Sequence, residues 1–406
     1  MKQAITGNAG PKVRSDIEVT LELTESGGIE LNLKSKVKTM YGRAIEEQCR
    51  SLMHYFGIEN ARLTVNDSGA LPFVIAARIE AAVKALTGTS KCFLPEMAAE
   101  NQYSSSRDRF RFSRLYLPGN SPGMFLNAGL HSPDGIILDL EDSVAPDRKD
   151  EARILVRNTL RVVNFYGAER MVRINQGERG LDDLEMLIPH NVHLVLIPKC
   201  ENAETVRTVD KRIREIKAGE GQGETVFLMP IIESAAGVER AMEIATAAES
   251  VVALAIGLED YTADLGVQRT REGRESLYAR NRLVVAAKAA GVQPIDSVFS
   301  DVGDMEGLLQ NVVSAKAMGF EGMGCIHPRQ IAVIREGFSP SPEETEKAKK
   351  IVTAYRDALE KGLGVVALGT KMIDPPVVAR AEKTITLAVR LGLLPENWMD
   401  EEKSKN

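Results

Sequence analysis

The sequence predicts an α/β fold: a (β/α)8 TIM barrel, preceded by a small α+β domain and followed by a helical extension. Three observations carry this. From residue 113 onward, short apolar runs alternate with helix-like stretches, and continuous apolar runs are how strands buried on both faces read. Eight such units fall within 113–340, near the roughly 250 residues of a barrel of this kind. Charged residues end several different runs, which is where barrels of this type do chemistry. An open doubly wound sheet is the structural alternative, but no GxGxxG follows the first strand, and that loop would bind a dinucleotide in such a sheet.

Residues 1–88 read as the small domain. Ile17 to Leu23 alternates apolar and polar, Ser26-Gly27-Gly28 is a turn, and Ile29 to Leu33 alternates again. That pattern predicts a hairpin. Residues 37–56 read as a helix, 61–66 as a strand and 71–86 as a second helix. Residues 89–112, with Ser104-Ser105-Ser106 and no clear period, read as a linker. The barrel strands are expected at 113–118, 135–141, 170–175, 193–199, 226–233, 251–259, 294–298 and 320–326. Within a C-terminal extension over 341–406, residues 341–362 and 375–393 read as helices, joined by Gly362 to Asp374.

Bulk composition excludes several classes. The 406 residues carry a net charge of -6 with acids and bases interspersed, so no basic stripe argues for a nucleic-acid partner. Cys49, Cys92, Cys200 and Cys325 form no CxxC pair, which favours reduced thiols in a cytoplasmic protein over a structural zinc site. Met1 to Gly10 has no apolar h-region and does not read as a signal peptide. No apolar run approaches the ~20 residues of a membrane span.

Two carboxylates stand out. Glu233 ends the run Val226 to Ile232, and Asp260 ends the run Val251 to Glu259. Acids at neighbouring strand tips, with open positions left over, suit Mg²⁺, which keeps waters and takes further ligands from a substrate. Leu138-Asp139-Leu140-Glu141-Asp142 places more acids after the second strand. Alternation points Asp139 and Glu141 the same way, and buried acids need partners. Arg173 and Lys199, at the ends of the third and fourth strands, are the candidates. A structural ion-pair network would read the same way. An acidic metal site with one Arg and one Lys suits an anionic substrate and carbon–carbon bond chemistry beside a carbonyl. Pro118-Gly119 opens a loop before a helix after Arg114, which is either an ordinary βα turn or an anion-binding one. His190 and His193 precede the fourth strand, on the face opposite barrel chemistry, and read as structural.

On the stretches Arg114 to Gly119, Leu138 to Val144, Val172 to Asn175, Ile197 to Glu201, Ile231 to Gly237, Gly257 to Gly266, Gly319 to Gln330 and Met372 to Pro375, residues 109–393 resemble the HpcH/HpaI aldolase/citrate lyase family. That family includes the citrate lyase β subunit and the malyl-CoA and citramalyl-CoA lyases. The resemblance implies cleavage of a β-hydroxyacyl thioester with Mg²⁺ held by Glu233 and Asp260. It gives Arg173 the hydroxy acid's oxygen, has Asp139 and Glu141 organise that centre, and gives Arg114 the phosphates of the thioester carrier. It also implies that Asp374 acts as a general acid/base in a neighbouring subunit's site, and hence a homo-oligomer, a trimer or hexamer. Asp374 before Pro375 also reads as an ordinary helix cap.

Residues 9–86 resemble the citrate lyase γ subunit, an acyl carrier protein, through Ala9-Gly10, Ser15-Asp16, Val65 to Leu71 and Ala77 to Ala81. That carrier bears a CoA-derived prosthetic group on a serine two residues before the Asp. Here that position is Arg14, and Ser15 lies one place later. Three readings follow. The first is a fused carrier–lyase acting on a citryl-like thioester, with a citrate lyase α-like acyltransferase subunit as implied partner. The second is a lyase of free acyl-CoA such as citramalyl-CoA or malyl-CoA, with a carrier-like domain that carries nothing; Arg14 supports it. The third is a non-catalytic assembly subunit.

Overall fold

The structure, a computed structural model, describes residues 3–220, 225–360, 362, 366–368 and 371–399. They fall into two compact units, Met1–Ile331 and Ala332–Asn406.

The first unit begins with a four-stranded sheet of β1 (Gln3–Thr6), β2 (Ile17–Leu23), β3 (Ile29–Ser35) and β4 (Ala61–Asp67), in the order β1-β2-β4-β3. The expected hairpin does not form. β4 inserts between its two halves, antiparallel to β2 and parallel to β3. Ala61, Leu63 and Val65 of β4 are fully buried, whereas β3 is only half-buried along its length. The more apolar strand therefore takes the central place, a choice that local alternation does not reveal.

Helix Pro72–Thr87 covers this sheet, starting at an N1 proline and closing on Gly88 at φ 66. It is buried on both faces, because its other side packs against the barrel helix Lys149–Val162. Two charged side chains pass through that contact. Arg78, fully buried, donates Nε and Nη2 to Asp16 at 3.0 Å each, and Nη1 to Asn120 Oδ1 at 2.5 Å. Its Nη1 also lies 3.3 Å from Glu151. Glu80 forks onto Arg157 at 2.8 and 2.7 Å. Glu151 in turn accepts the Gly7 N–H at 2.8 Å. Buried charges are tolerable only when paired this fully.

Residues 89–112 are tied down beneath the barrel. Arg111 forks onto the buried Glu169 at 2.7 and 2.8 Å. Asn101 Nδ2 donates to the Val163 carbonyl at 2.8 Å, and the Tyr103 hydroxyl to the Ala168 carbonyl at 2.5 Å. His193 is fixed as one tautomer: its Nδ1 accepts the Arg170 N–H at 3.2 Å, so Nε2–H donates to the Tyr103 carbonyl at 2.7 Å.

The barrel comprises β5 (Ser113–Pro118), β6 (Gly135–Asp139), β7 (Glu169–Arg173), β8 (Leu194–Ile197), β9 (Phe227–Ile232), β10 (Ala253–Ile256), β11 (Gln293–Ile295) and β12 (Met323–Cys325). All pairings are parallel, with β12 returning to β5. A bridge from Asp296 to Met323 closes the ring. Ile137, Met171, Leu196, Met229, Ile231 and Ala255 fill its interior. Strands end earlier than the apolar runs do, most clearly at β10. It stops at Ile256, and Leu258 already belongs to the helix Leu258–Asp264.

In the second unit, helices Pro342–Glu360 and Pro375–Arg390 pack together around Ile351, Val352, Ile385 and Trp398. Between them β13 (Val366–Leu368) and β14 (Lys371–Ile373) form a small antiparallel pair. Lys361 of the expected helix and part of the Gly362–Asp374 connection lie outside the described residues.

Two outcomes follow. Arg78→Ala leaves Asp16 and Glu151 buried without their guanidinium and is expected to cost about 3–5 kcal/mol, read as a lower urea midpoint. His190 and His193 are pushed down by burial to about 3 and about 4. Below the unfolded value near 6.5, the unfolded chain therefore binds protons that the folded one refuses. Stability is full above that pH and falls as pH drops from 6.5 towards 4. The loss between pH 7 and 5 is expected to be smaller in His193→Gln, measured by urea midpoints.

Candidate active site at the barrel mouth

Parallel strands bring all their C-terminal ends to one face. Asp139 and Arg173 are the last residues of β6 and β7 and are register partners. Backbone pairing therefore sets their contact: Nε to Oδ1 at 2.6 Å and Nη2 to Oδ2 at 2.7 Å. Asp139 also accepts the Glu141 N–H at 2.9 Å. Burial opposes both charges, but each is outweighed by its partner. Asp139 is held below the usual carboxylate range and Arg173 above its own. The remaining nitrogen of Arg173, Nη1, is paired with Glu141 at 3.2 Å and Asp142 at 3.5 Å.

Lys199 follows β8 with its backbone in the left-handed region at φ 46. Its N–H donates to Glu233 Oε2 at 2.8 Å. Its ammonium reaches Glu141 at 2.9 Å, Asp142 at 3.0 Å and Asp260 at 3.9 Å. Burial works against that charge, but the surrounding acids raise its pKa on balance. Glu141 is shifted the opposite way to Asp139. Burial and the Asp142 hydrogen bond push it up against the pull of Lys199 and Arg173.

Glu233 stands just past β9 and is 6% exposed. Burial pushes its carboxyl up to about 7, against the Lys199 amide and the field of Arg173, and the charge of Asp260 adds to the rise. Its carboxylate lies against Gly257: a Cβ there would fall 2.4 Å from Oε1 and 2.7 Å from Cγ. Asp260 lies in the first turn of the helix Leu258–Asp264, half-exposed, rather than at a strand tip. Leu258 prolongs the apolar run of β10 into that helix, which is why the run looks longer than the strand.

Asp139, Asp142, Arg173, Glu233 and Asp260, with Tyr116, line a cavity of about 730 Å³. Among the described residues no three His, Cys, Asp or Glu side chains form a ready metal cluster. The candidate pair is Glu233 with Asp260. It fits a hard divalent cation on its chemistry: both donors are oxygens. Arg173 and Lys199 bond the side chains of Asp139, Glu141 and Asp142, and Lys149 bonds the Leu140 and Glu141 carbonyls. Glu233 accepts one amide and no side-chain cation among the described residues, so a buried carboxylate there is short of positive charge.

Arg114 and Pro118 also line this cavity. Arg114 sits at the start of β5, level with Gly135, the first residue of β6. Its guanidinium is buried inside the barrel, 2.9 Å from Met229 Sδ, and burial lowers its pKa to about 10. A phosphate would have to enter the barrel to meet it. Gly119 donates its N–H to the Asp139 carbonyl at 2.7 Å, so that amide is not on offer to an anion, and Pro118 lines the cavity. Asp374 belongs to the second unit, where it caps the helix Pro375–Arg390 by accepting the Val377 N–H at 3.2 Å. Ser15 is half-buried at φ 56, its N–H bonded to the Ser68 carbonyl at 3.1 Å.

Tyr116 and Gly257 were not among the residues singled out from sequence. Tyr116 carries the Arg173 guanidinium over its ring at 5.4 Å. Alternation along β5 from Arg114 would have pointed it inward. Gly257 had no such signal, because its role is to leave room.

A parallel barrel with a fixed arginine and an excess of carboxylates at its C-terminal mouth is an enzyme-like architecture. Its relatives are specific. Residues 113–328 match the family model described as HpcH/HpaI aldolase/citrate lyase, and residues 2–86 match that of the malonate decarboxylase delta subunit (MdcD). The citrate lyase subunit beta of Leuconostoc mesenteroides subsp. cremoris is 36% identical over 290 residues, 70% of this chain and 95% of the relative. The mitochondrial citramalyl-CoA lyase of Homo sapiens is 34% identical over 302 residues, 71% of this chain and 89% of the relative. The crystal structure of protein CitE from Mycobacterium tuberculosis, described in complex with magnesium, acetoacetate and coenzyme A, superposes with a TM-score of 0.59 at 31% identity. It covers 70% of this chain and 99% of that one. The chain belongs to the HpcH/HpaI aldolase/citrate lyase family, a family of lyases. No helix among the described residues is long and apolar enough to cross a membrane.

Gly257→Ala is expected to push the Glu233 carboxylate aside without unfolding the barrel, since the far end of a side chain yields more easily than backbone. A misplacement of about 1 Å can cost on the order of 100-fold in rate. The check is turnover and Mg²⁺ titration beside an unchanged melting temperature.

Proposed function

We propose that this chain is a Mg²⁺-dependent lyase that breaks a carbon–carbon bond of a β-hydroxyacyl thioester, releasing a 2-oxo acid and an acetyl thioester. The observation that carries the proposal is Glu233: a buried carboxyl with no side-chain cation bonded to it, beside Asp260, in the cavity that Arg173 enters. Magnesium and coenzyme A bound to the CitE neighbour support it, as do the names of the lyase relatives.

Glu233 and Asp260 would hold the ion, which when bound supplies Lewis-acid polarisation of substrate oxygens and keeps them in register. Arg173, oriented and held charged by Asp139, would turn Nη1 from Glu141 and Asp142 to the substrate's oxygen, and the fixed fork on Asp139 means little reorganisation during reaction. Lys199 keeps Glu141 and Asp142 drawn together around that nitrogen. As the bond breaks, the hydroxyl gives its proton to solvent and becomes the ketone of the 2-oxo acid. The electron pair passes to the carbon beside the thioester carbonyl, which must gain a proton. Asp374 of a second copy would supply it as general acid, since one of its oxygens caps a helix and the other has no hydrogen bond among the described residues.

Two thioester carriers compete. A group loaded on Ser15 is disfavoured by that residue's half-buried, left-handed backbone and by Arg14 at the family's serine position. Free acyl-CoA is favoured, with citramalyl-CoA, malyl-CoA and citryl-CoA as the substrates to try.

The test is release of acetyl-CoA from those three thioesters with Mg²⁺ and with EDTA. Cleavage abolished by EDTA, and reduced roughly 100-fold or more in Glu233→Ala, is the expected result. Absence of cleavage with all three would sink the free-CoA reading. Mixing inactive Glu233→Ala and Asp374→Ala chains under exchange should restore part of the activity. No recovery would remove the second-copy role of Asp374.

A further inference from the structure

The N-terminal domain resembles a carrier, yet its attachments are those of a fixed part. Arg78, Asp16, Glu151 and Asn120 form one buried cluster between it and the barrel. Arg148 closes on the Gly7 carbonyl at 2.6 Å while Glu151 takes the Gly7 N–H. To swing, the domain would have to expose these paired charges, and separating buried partners is strongly unfavourable.

The turn before Ser15 is held as firmly. Val13 donates its N–H to the Gly10 carbonyl at 3.2 Å, and the Lys36 ammonium bonds the Gly10 and Val13 carbonyls at 2.9 and 3.1 Å. This turn meets the barrel at the cavity. A Cβ built on Gly123 would lie 2.9 Å from the Arg14 carbonyl oxygen and 3.8 Å from Arg14 Cβ. Gly123 and its neighbour Met124 line the cavity that also contains Arg173, Glu233 and Asp260. Arg14 is exposed and has no hydrogen bond or ion pair among the described residues. Met124, next to Gly123 in sequence, is 55% exposed.

A CoA thioester is a long, uncharged arm with an acyl group at one end and phosphates at the other. The carboxylate-rich centre would repel those phosphates, so their cation has to stand at the rim, past an apolar stretch. Met124 lines the cavity, and Arg14 is the exposed cation whose backbone packs on its neighbour Gly123. We infer that the carrier-like domain is a fixed rim of the active-site cavity, and that Arg14 binds a phosphate of the free CoA thioester whose acyl end lies at Arg173. The residue at the carrier's attachment position thus holds by charge what the carrier holds by a covalent bond. This rests on the thioester reading above.

Calorimetric titration of the full-length protein with CoA and with pantetheine, which lacks the nucleotide phosphates, tests it. Arg14→Ala should weaken CoA binding about tenfold, the scale of one charge-assisted contact, with pantetheine affinity unchanged. Arg14→Lys should recover part of the loss, and the difference between wild type and Arg14→Ala should shrink with added salt. With an active thioester, the same variant should raise KM and leave kcat alone. Equal CoA affinity in wild type and Arg14→Ala, or no CoA binding by wild type, would overturn the inference. Absence of cleavage together with an Arg14-dependent CoA affinity would instead count against the lyase reading and leave the phosphate contact standing.

Discussion

The fork between Asp139 and Arg173 is the contact on which the rest of the mouth depends. It is set by strand register, since the two residues face each other as the last pair of β6 and β7. With Nε and Nη2 committed to Asp139, Nη1 is aimed at Glu141 and Asp142. Those acids draw in the Lys199 ammonium, and the Lys199 amide holds Glu233. Each link uses a group left over by the one before. The series ends on a carboxyl that burial keeps near 7, which is the point where a cation from outside the chain has most to gain.

Position in the barrel explains why these charges differ in character. Arg111 with Glu169, and Arg280 with Asp296, are also buried forks. Arg111 lies beneath the barrel, where its bonds to the segment 89–112 leave nothing over. The same chemistry closes a seam there, whereas at the other end the Asp139–Arg173 fork borders the cavity. The small domain is likewise better understood from what touches it than from what it resembles, for a fold can be kept while its use changes.

The barrel was legible because parallel strands buried on both faces read as unbroken apolar runs. The acids and cations of the mouth were legible because each follows such a run. Pairings that depend on distant strands were not. β2 and β3 alternate as a hairpin would, and only the burial demand of β4 separates them. β1, at Gln3–Thr6, is too short to announce itself. Asp260 was misplaced by half a turn of structure because Leu258 serves the helix as well as it would serve a strand. Arg114 was legible as an early residue of the first strand, and its register with Gly135 places it at that level. Gly257 was invisible because what matters there is a missing atom.

Lys199 shows where folding and chemistry pull in opposite directions. A lysine at φ 46 carries a backbone strain of about 1 kcal/mol that glycine would not. Mutational searches for thermostability would therefore favour glycine at this position, and would remove the ammonium that spans Glu141, Asp142 and Asp260. An engineer selecting for heat resistance alone would drift towards a sturdier barrel with a disordered charge layout.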